Sequence, residues 1–387
     1  MRDGQVMIDQ DFSDRQAIID LRALSRNLAL VKKLVGSAKI MAVVKADAYG
    51  HGLVPVSRRL VAEGAAALGV GRVEEVEDLR RAGLGVPVVI LTGILPQEAA
   101  QAVRLRSLPL VFDLETAEAL ASVARSMGRT AEVLIKIDTG LGRLGLDCQD
   151  LSGLVDRLQL IEGLTVRGLA SHLSNAEEAD KSTALAQIER FKAAISLFKD
   201  RGFDLDLNSL AASSGVLDLK ASHFDLVRPG IMLYGCRPGP GIKNPLDPEP
   251  VMTVKTRLIQ VRDMPAGSPL SYGGTYVTPD QARIGVVALG YGHGLGRSLS
   301  ATNQTPGGQM LVHGRRAPIV GRVCMNLTLL DLADCPEAEV GDEVVVLGRQ
   351  GEEVLRAEEM AQAWGTVSNE VLCLLGGLNP RTYLDLP

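Results

Sequence analysis

Between about residue 38 and residue 235 the chain alternates short apolar runs with amphipathic stretches, and no other feature narrows its possible folds so far. The runs are Ile40–Lys45, Ala67–Gly71, Pro87–Thr92, Leu108–Phe112, Ala131–Ile137, Leu164–His172, Asp204–Ser209 and Phe224–Arg228. Each is rich in Val, Ile and Leu and too short for a helix, as strands buried on both faces should be. Helical patterns such as Arg72–Ala82 and Glu115–Met127 lie between them; in the second, Leu120, Val123, Ala124 and Met127 share one face. Gly83, Gly128, Gly163 and Gly202 close such stretches, as glycines past helix ends do. Eight strand–helix units in about 200 residues match a (β/α)8 barrel, an α/β fold of TIM type, and the count favours it over a doubly wound open sheet.

The pattern breaks at Cys236–Pro250, where five prolines in fifteen residues read as a linker. Beyond it the signals are β: Met252–Arg262, Ala282–Leu289, Met310–Val312, Pro318–Leu332 and Glu343–Leu347, with helical patterns near Glu358–Trp364 and Val367–Leu375. A mostly β C-terminal domain is therefore expected after the barrel.

Composition removes several function classes. Lys plus Arg number 41 against 46 Asp plus Glu, a net charge of −5 with no block of like charge, which leaves no basic face for nucleic acid. No apolar run reaches the length of a membrane-crossing helix. The first 16 residues carry four Asp and no apolar run, unlike a secretory signal. Five scattered cysteines, Cys148, Cys236, Cys324, Cys335 and Cys373, give neither a disulfide framework nor a metal-ligand cluster. A reduced, cytoplasmic, soluble protein without a metal-ligand cluster is the expectation.

Active sites of such barrels lie at the C-terminal ends of the strands. The first run ends in Lys45, which shares a face with Met41 and Val43 and either reaches solvent or sits desolvated as a nucleophilic amine. The fifth ends Lys136-Ile-Asp138-Thr-Gly140-Leu-Gly142-Arg143, a glycine-spaced loop offering Arg143 to a carboxylate or phosphate, with Lys136 able to brace it. In the sixth, the small Gly168 and Ala170 precede His172 and would leave room for a flat ligand beside the imidazole. The seventh ends Asn208-Ser209, and the eighth ends Arg228-Pro229-Gly230-Ile231, where backbone N–H groups suit a phosphate. Arg228 needs an acceptor, and Asp225, its nearest carboxylate in sequence, lies on the other face.

Ala-Val-Val-Lys45-Ala-Asp-Ala-Tyr49-Gly-His-Gly closely resembles the cofactor-attachment motif of the alanine racemases. The resemblance continues through Asp138-Thr-Gly-Leu-Gly-Arg143, Ser171-His172-Leu, Asn208-Ser209, Arg228-Pro-Gly230-Ile231-Met-Leu-Tyr234-Gly, Ser271-Tyr272-Gly-Gly-Thr-Tyr276, Gly290-Tyr291-Gly, Gly321-Arg-Val-Cys324-Met325 and Asn379-Pro-Arg-Thr-Tyr383. It covers the chain from Ala17 onward. It implies a pyridoxal 5′-phosphate enzyme, an isomerase interconverting L- and D-alanine and so making or consuming the D-alanine of peptidoglycan precursors. By resemblance Lys45 would carry the cofactor, and Tyr49, Ser209 and the N–H groups of Gly230 and Ile231 would take its phosphate. Asn208 would belong to the same cofactor site, His172 would lie beside the pyridine ring, and Arg228 would donate to its nitrogen.

The resemblance also implies a homodimer with shared active sites. Arg143, with the Met325 N–H and Tyr291 contributed by the partner, would bind the substrate; Lys136, often carbamylated in this family, would support Arg143. Tyr272 of the partner subunit would be the second base, opposite Lys45. Racemisation needs two bases because a proton leaves one face of the α-carbon and returns to the other. An arginine at the pyridine nitrogen has no proton to give up at neutral pH, which favours a racemase over a decarboxylase of the same fold. Residues 1–16 lie outside the resemblance and read, from their acidic and weakly hydrophobic composition, as a tail; the family's organisation implies a strand over 17–21 joining the C-terminal domain, a barrel over 22–240 and the β domain over 241–387.

Three positions depart from the family: His293 in Gly290-Tyr291-Gly292-His293-Gly294, Asn326 after Met325, and Asn369 where many members have a tyrosine that grips the phosphate. Asn369 would widen the pocket, leaving a racemase of broader specificity, acting on serine or other small amino acids, as the alternative enzyme. A pyridoxal-phosphate-binding regulator without turnover is the alternative of another class. Such regulators resemble the barrel alone, whereas this chain adds the domain that holds Tyr272 and Met325.

Overall fold

A computed structural model describes residues 14–148 and 150–385 and divides the chain into two compact units. One comprises Asp20–Val251 with the residues from Leu384 onward; the other joins the residues up to Ile19 to Met252–Tyr383. The sequence reading for the first 16 residues lies largely outside the described residues; the first strand already spans Arg15–Asp20.

In the first unit the parallel strands Lys39–Val43, Ala67–Val70, Val88–Ile90, Leu108–Val111, Ala131–Asp138 and Leu164–Ala170 pair in chain order. Leu226–Val227 then returns to pair with Lys39–Val43. The unit is a (β/α)8 barrel. Inward side chains from every run meet in one buried layer: Met41, Ala67, Val89, Leu108, Leu110, Leu134, Ala170 and Leu226, with Leu207 packed against them. Inward parity also carries Lys136, two residues beyond Leu134, to the upper end of that layer.

The seventh run differs from expectation. Asp204–Ser209 forms no strand and contributes one parallel bridge, Ser209 to Ala170. Asn208 closes the gap by other means: its Oδ1 accepts the Leu169 N–H at 3.0 Å, its Nδ2 donates to Asp225 Oδ2 at 2.8 Å, and its carbonyl accepts from Asp225 and Leu226. Gly168 has a matching cause: a Cβ there would stand 2.5 Å from the Leu207 carbonyl, so its smallness admits this backbone and not a ligand.

The proline-rich stretch is not a free linker, because it is bonded to the barrel unit. Asp218 accepts the N–H groups of Lys243 and Asn244, Arg237 donates to the Leu246 and Asn244 carbonyls, and Asn27 accepts the Glu249 N–H. The unit boundary accordingly falls at Val251–Met252, about ten residues later than the linker's composition suggests.

The second unit is mostly β. Arg315–Pro318, Gln309–Val312, Glu343–Gln350, Met252–Met264, Arg15–Asp20 and Arg381–Leu384 lie side by side in one sheet, with further strands branching from it. The stretch expected as one strand, Pro318–Leu332, divides into the end of Arg315–Pro318 and the strand Thr328–Asp331. The interval is a loop carrying Cys324 and Met325. Two helices, Ala357–Trp364 and Ser368–Gly377, precede the last strand, with Asn369 half-buried in the first turn of the second.

Candidate active site

The mouth of the barrel begins at a turn that the sequence did not announce. After Lys45, residues Ala46, Asp47, Ala48 and Tyr49 all take φ of 53–54°, one turn of left-handed helix built without glycine. Such a conformation costs roughly 1–2 kcal/mol per residue and persists only when its surroundings determine it. Asp47 Oδ1 accepts the Leu53 N–H at 2.7 Å, while Glu75 accepts the Asp47 N–H at 3.3 Å and the Gly71 N–H at 2.7 Å. Behind the turn, the buried Tyr234 hydroxyl donates to the Val43 carbonyl at 2.9 Å, and its ring packs on Tyr49 and His51 at 4.8 and 4.7 Å. The result fixes Tyr49 and leaves Lys45 exposed in the single chain.

Tyr49 points at the start of the short 3-10 turn Ile231–Tyr234: a Cβ added to Gly230 would lie 2.6 Å from the Tyr49 hydroxyl. At the same place the buried Ser213 Oγ accepts the Gly230 N–H at 3.0 Å and approaches the Met232 N–H at 3.4 Å. The first N–H groups of such a turn have no acceptor within it. Two hydroxyls, a glycine without a Cβ and the Ile231 N–H, which no acceptor meets among the described residues, make a cradle for a small anion. Ser213 was missed in the sequence because its run, Ala211-Ala-Ser-Ser, reads as an ordinary helix start; its place two residues before the helical Gly215 was the only local signal.

Asn208 and Ser209, expected at the cofactor, are used elsewhere. Asn208 closes the barrel as described. Ser209, fully buried, donates to the Leu226 carbonyl at 2.5 Å and accepts from Arg228 Nη1 at 2.6 Å. Both hydroxyl functions are thereby committed, and the serine in the anion cradle is Ser213.

Arg228 is buried, and among the described residues no carboxylate pairs with it. Its Nη2 donates to the Ser171 and Leu210 carbonyls at 2.5 and 3.2 Å and lies 3.4 Å from His172 Nδ1. Burial lowers its pKa to about 10, which still leaves the guanidinium charged at neutral pH. Among the described residues no acceptor meets its Nε, which leaves that donor for a ligand. The charge spreads to its neighbours. Burial first, then Arg228 and Arg143, lower Lys136 to about 8, with its Nζ donating to the Ile137 carbonyl at 2.9 Å. Burial first, then Arg228, Arg143, Lys136 and Lys45, lower His172 to about 3, so its ring is neutral.

Arg143 stands exposed on its loop. Asp138 shapes that loop by accepting the N–H groups of Gly140, Leu141 and Gly142 at 2.9, 2.9 and 3.0 Å. Burial alone would raise the Asp138 pKa, but these donors and Lys136 outweigh it and hold the carboxylate below its usual range. An amine, a cluster of cations and an anion cradle thus occupy one barrel mouth. The donor set fits pyridoxal phosphate: Lys45 for the aldehyde, Tyr49, Ser213 and the Gly230–Ile231 turn for the phosphate, and Arg228 for the ring nitrogen.

The remaining candidates lie in the β unit, which brings three of its segments together. Tyr291 N–H donates to the Cys324 carbonyl at 3.0 Å, and Gly292 N–H to that of Met325 at 2.8 Å. Ser271, itself at φ 59°, donates to the Arg322 carbonyl at 2.7 Å. On this framework Tyr272, Tyr291 and Met325 are 70%, 41% and 55% exposed. Among the described residues no hydrogen bond holds the Tyr272 phenol.

Two family models cover the chain: the alanine racemase N-terminal domain over residues 19–238 and the C-terminal domain over 251–383. The alanine racemase of Syntrophobacter fumaroxidans is 44% identical over 359 residues, covering 92% of this chain and 94% of the relative. That of Halothermothrix orenii is 39% identical over 368 residues, covering 95% and 96%. Among solved structures, the alanine racemase of the D-cycloserine producer Streptomyces lavendulae superposes with a TM-score of 0.90 at 34% identity, covering 96% of this chain and 97% of that one. The Bartonella henselae alanine racemase, solved with covalently bound pyridoxal phosphate, gives 0.87 at 28% identity, covering 96% and 100%.

Proposed function

Because this chain belongs to the alanine racemase family, and so interconverts L- and D-alanine with pyridoxal 5′-phosphate, we propose that its proton exchange runs between the Lys45 amine and the phenol of Tyr272 of the partner subunit. When bound, the cofactor supplies an electron sink that spreads the negative charge left at the α-carbon. Every other requirement falls to the chain's own residues. Lys45 would hold the cofactor at rest and, once the substrate amine displaces it, its freed amine would accept or return a proton on one face. Tyr49, Ser213 and the Gly230–Ile231 turn would hold the phosphate, and the neutral His172 ring would lie beside the pyridine. Arg228 donates to the ring nitrogen while keeping its own protons, which limits charge withdrawal and so side reactions. Arg143, supported by Lys136 and joined by the Met325 N–H and Tyr291 of a partner subunit, takes the substrate carboxylate.

A homodimer with shared sites accounts for the aromatic and methionine side chains that the β unit leaves in water, since clustered apolar exposure of that kind marks a contact face. The assembly is placed in the cytoplasm, on the strength of its scattered cysteines. The observation that carries the reading is the convergence on one barrel mouth of Lys45, an anion cradle at Gly230 and a buried arginine without a carboxylate.

Purified protein incubated with L-alanine and with L-serine, followed by loss of optical activity, tests it. Lys45→Ala should abolish the cofactor's visible absorbance together with turnover. Tyr272→Phe should keep the absorbance and lower racemisation equally in both directions, as an equilibrium constant of one requires, while D-alanine still exchanges its α-proton with solvent through Lys45; racemisation at the parent rate would contradict the assignment of the second base. The broader-specificity reading rests on Asn369 alone, and an unchanged serine-to-alanine rate ratio in Asn369→Tyr would remove it.

A further inference from the structure

One buried side chain touches both loops that carry the substrate and ring contacts without reaching either ligand. Gln187 lies on the helix Ser182–Asp200 and is fully buried. Its Nε2 donates to Thr139 Oγ1 at 3.2 Å and to the His172 carbonyl at 3.1 Å, and its Oε1 accepts the Ser174 N–H at 2.9 Å. A backbone carbonyl can only accept and a backbone N–H can only donate, so these contacts fix which way the amide faces. Both amide protons and the carbonyl oxygen are satisfied.

The chain of bonds continues in one direction. Thr139 Oγ1, having accepted from Gln187, is 2.8 Å from Ser171 Oγ, which donates to the Ile137 carbonyl at 2.8 Å. One turn along the same helix, Arg190 donates to the Thr139 carbonyl at 2.8 Å. Thr139 and Ser171 are as buried as Gln187. The first loop, opened by Asp138, bears Arg143; the second bears His172, and its Ser171 carbonyl receives Arg228. The helix is thus tied to both loops at once, through donors and acceptors that have no water to fall back on.

We propose that Gln187 is a positioning residue for substrate binding: it holds the loop of Arg143 in register with the loop of His172, so that the carboxylate-binding arginine stands correctly over the ring. The inference rests on the assignment of Arg143 to the substrate carboxylate. A polar core residue of purely structural importance would lower stability without selecting a kinetic constant. A register clamp acts on binding, because its loss lets one ligand-bearing loop shift while the Lys45 turn, held through Tyr234 and Glu75, is untouched.

The test uses holoenzyme variants Gln187→Leu, Gln187→Glu and Thr139→Val, with Arg143→Ala as reference. Gln187→Glu keeps the shape and the acceptor for Ser174 but sets an oxygen against the His172 carbonyl, so it serves if Gln187→Leu does not fold. The expected result is a KM for alanine raised about tenfold in both directions, kcat within about threefold, and the cofactor's visible absorbance retained. Amide hydrogen exchange in the apoprotein should quicken over residues 138–143 and 171–174. The double variant Gln187→Leu/Thr139→Val should be no worse than the worse single, since both break one chain of bonds. If Arg143→Ala raises KM while the folded Gln187 variants leave it unchanged, the clamp is overturned and the Arg143 assignment stands. If Arg143→Ala itself leaves KM unchanged, that assignment and the clamp fall together.

Discussion

Lys136, His172 and Arg228 lie within one electrostatic neighbourhood, and each is pushed toward its less charged form by burial. For His172 the shift from 6.5 to about 3 means that the unfolded chain binds more protons between those values. Stability contributed by the neutral imidazole is complete above pH 6.5 and is lost as pH falls through that window. In urea unfolding of the apoprotein, His172→Gln should therefore lose less stability than the parent between pH 7.5 and pH 5; parallel losses would contradict the assigned burial. Gly230 makes a steric argument of the same kind. With its absent Cβ 2.6 Å from the Tyr49 hydroxyl, Gly230→Ala must displace Tyr49 or the turn. It should cost about 1–3 kcal/mol of stability, read by melting, and weaken cofactor affinity, read by titration; a destabilised variant with unchanged affinity would show the cradle to be misassigned.

At the scale of elements, the left-handed turn after Lys45 sets the position of the amine at the expense of backbone strain. Ala46 is exposed, so Ala46→Gly removes strain without removing packing. The urea midpoint should rise, by up to about 1 kcal/mol in stability, because relief at φ 54° exceeds the added entropy of an unfolded glycine. A fall would show the turn to be unstrained. None of this was legible in the sequence, where Ala-Asp-Ala-Tyr reads as helix-compatible and no glycine marks the positive φ until Gly50. The barrel was legible because strands buried on both faces leave uniform apolar runs; Lys45 and Arg228 stood out as candidates because a charge ending such a run has few places to go, and Arg143 because its loop is glycine-spaced. Asn208 and Ser209 misled for an equally physical reason. Strand-end logic assumes a strand, and the seventh run instead joins the barrel through side chains, consuming the polar groups that seemed available. Ser213 then stood hidden four residues on.

For the molecule as a whole, the two proposed bases lie in different units, Lys45 in the barrel unit and Tyr272 on an exposed face of the β unit, so on this proposal neither unit alone exchanges protons on both sides of the α-carbon. Whether the phenol acts within its own chain or across a subunit boundary can be read directly by mixing two defective proteins, Lys45→Ala and Tyr272→Phe, under conditions that exchange subunits. If the phenol acts across the boundary, each mixed dimer has one site with both defects and one with neither. Racemisation, absent from Lys45→Ala and impaired in Tyr272→Phe, should then rise on mixing in proportion to the mixed dimers formed. If mixed dimers form and racemisation does not rise, both bases come from one chain, and the shared-site account is wrong.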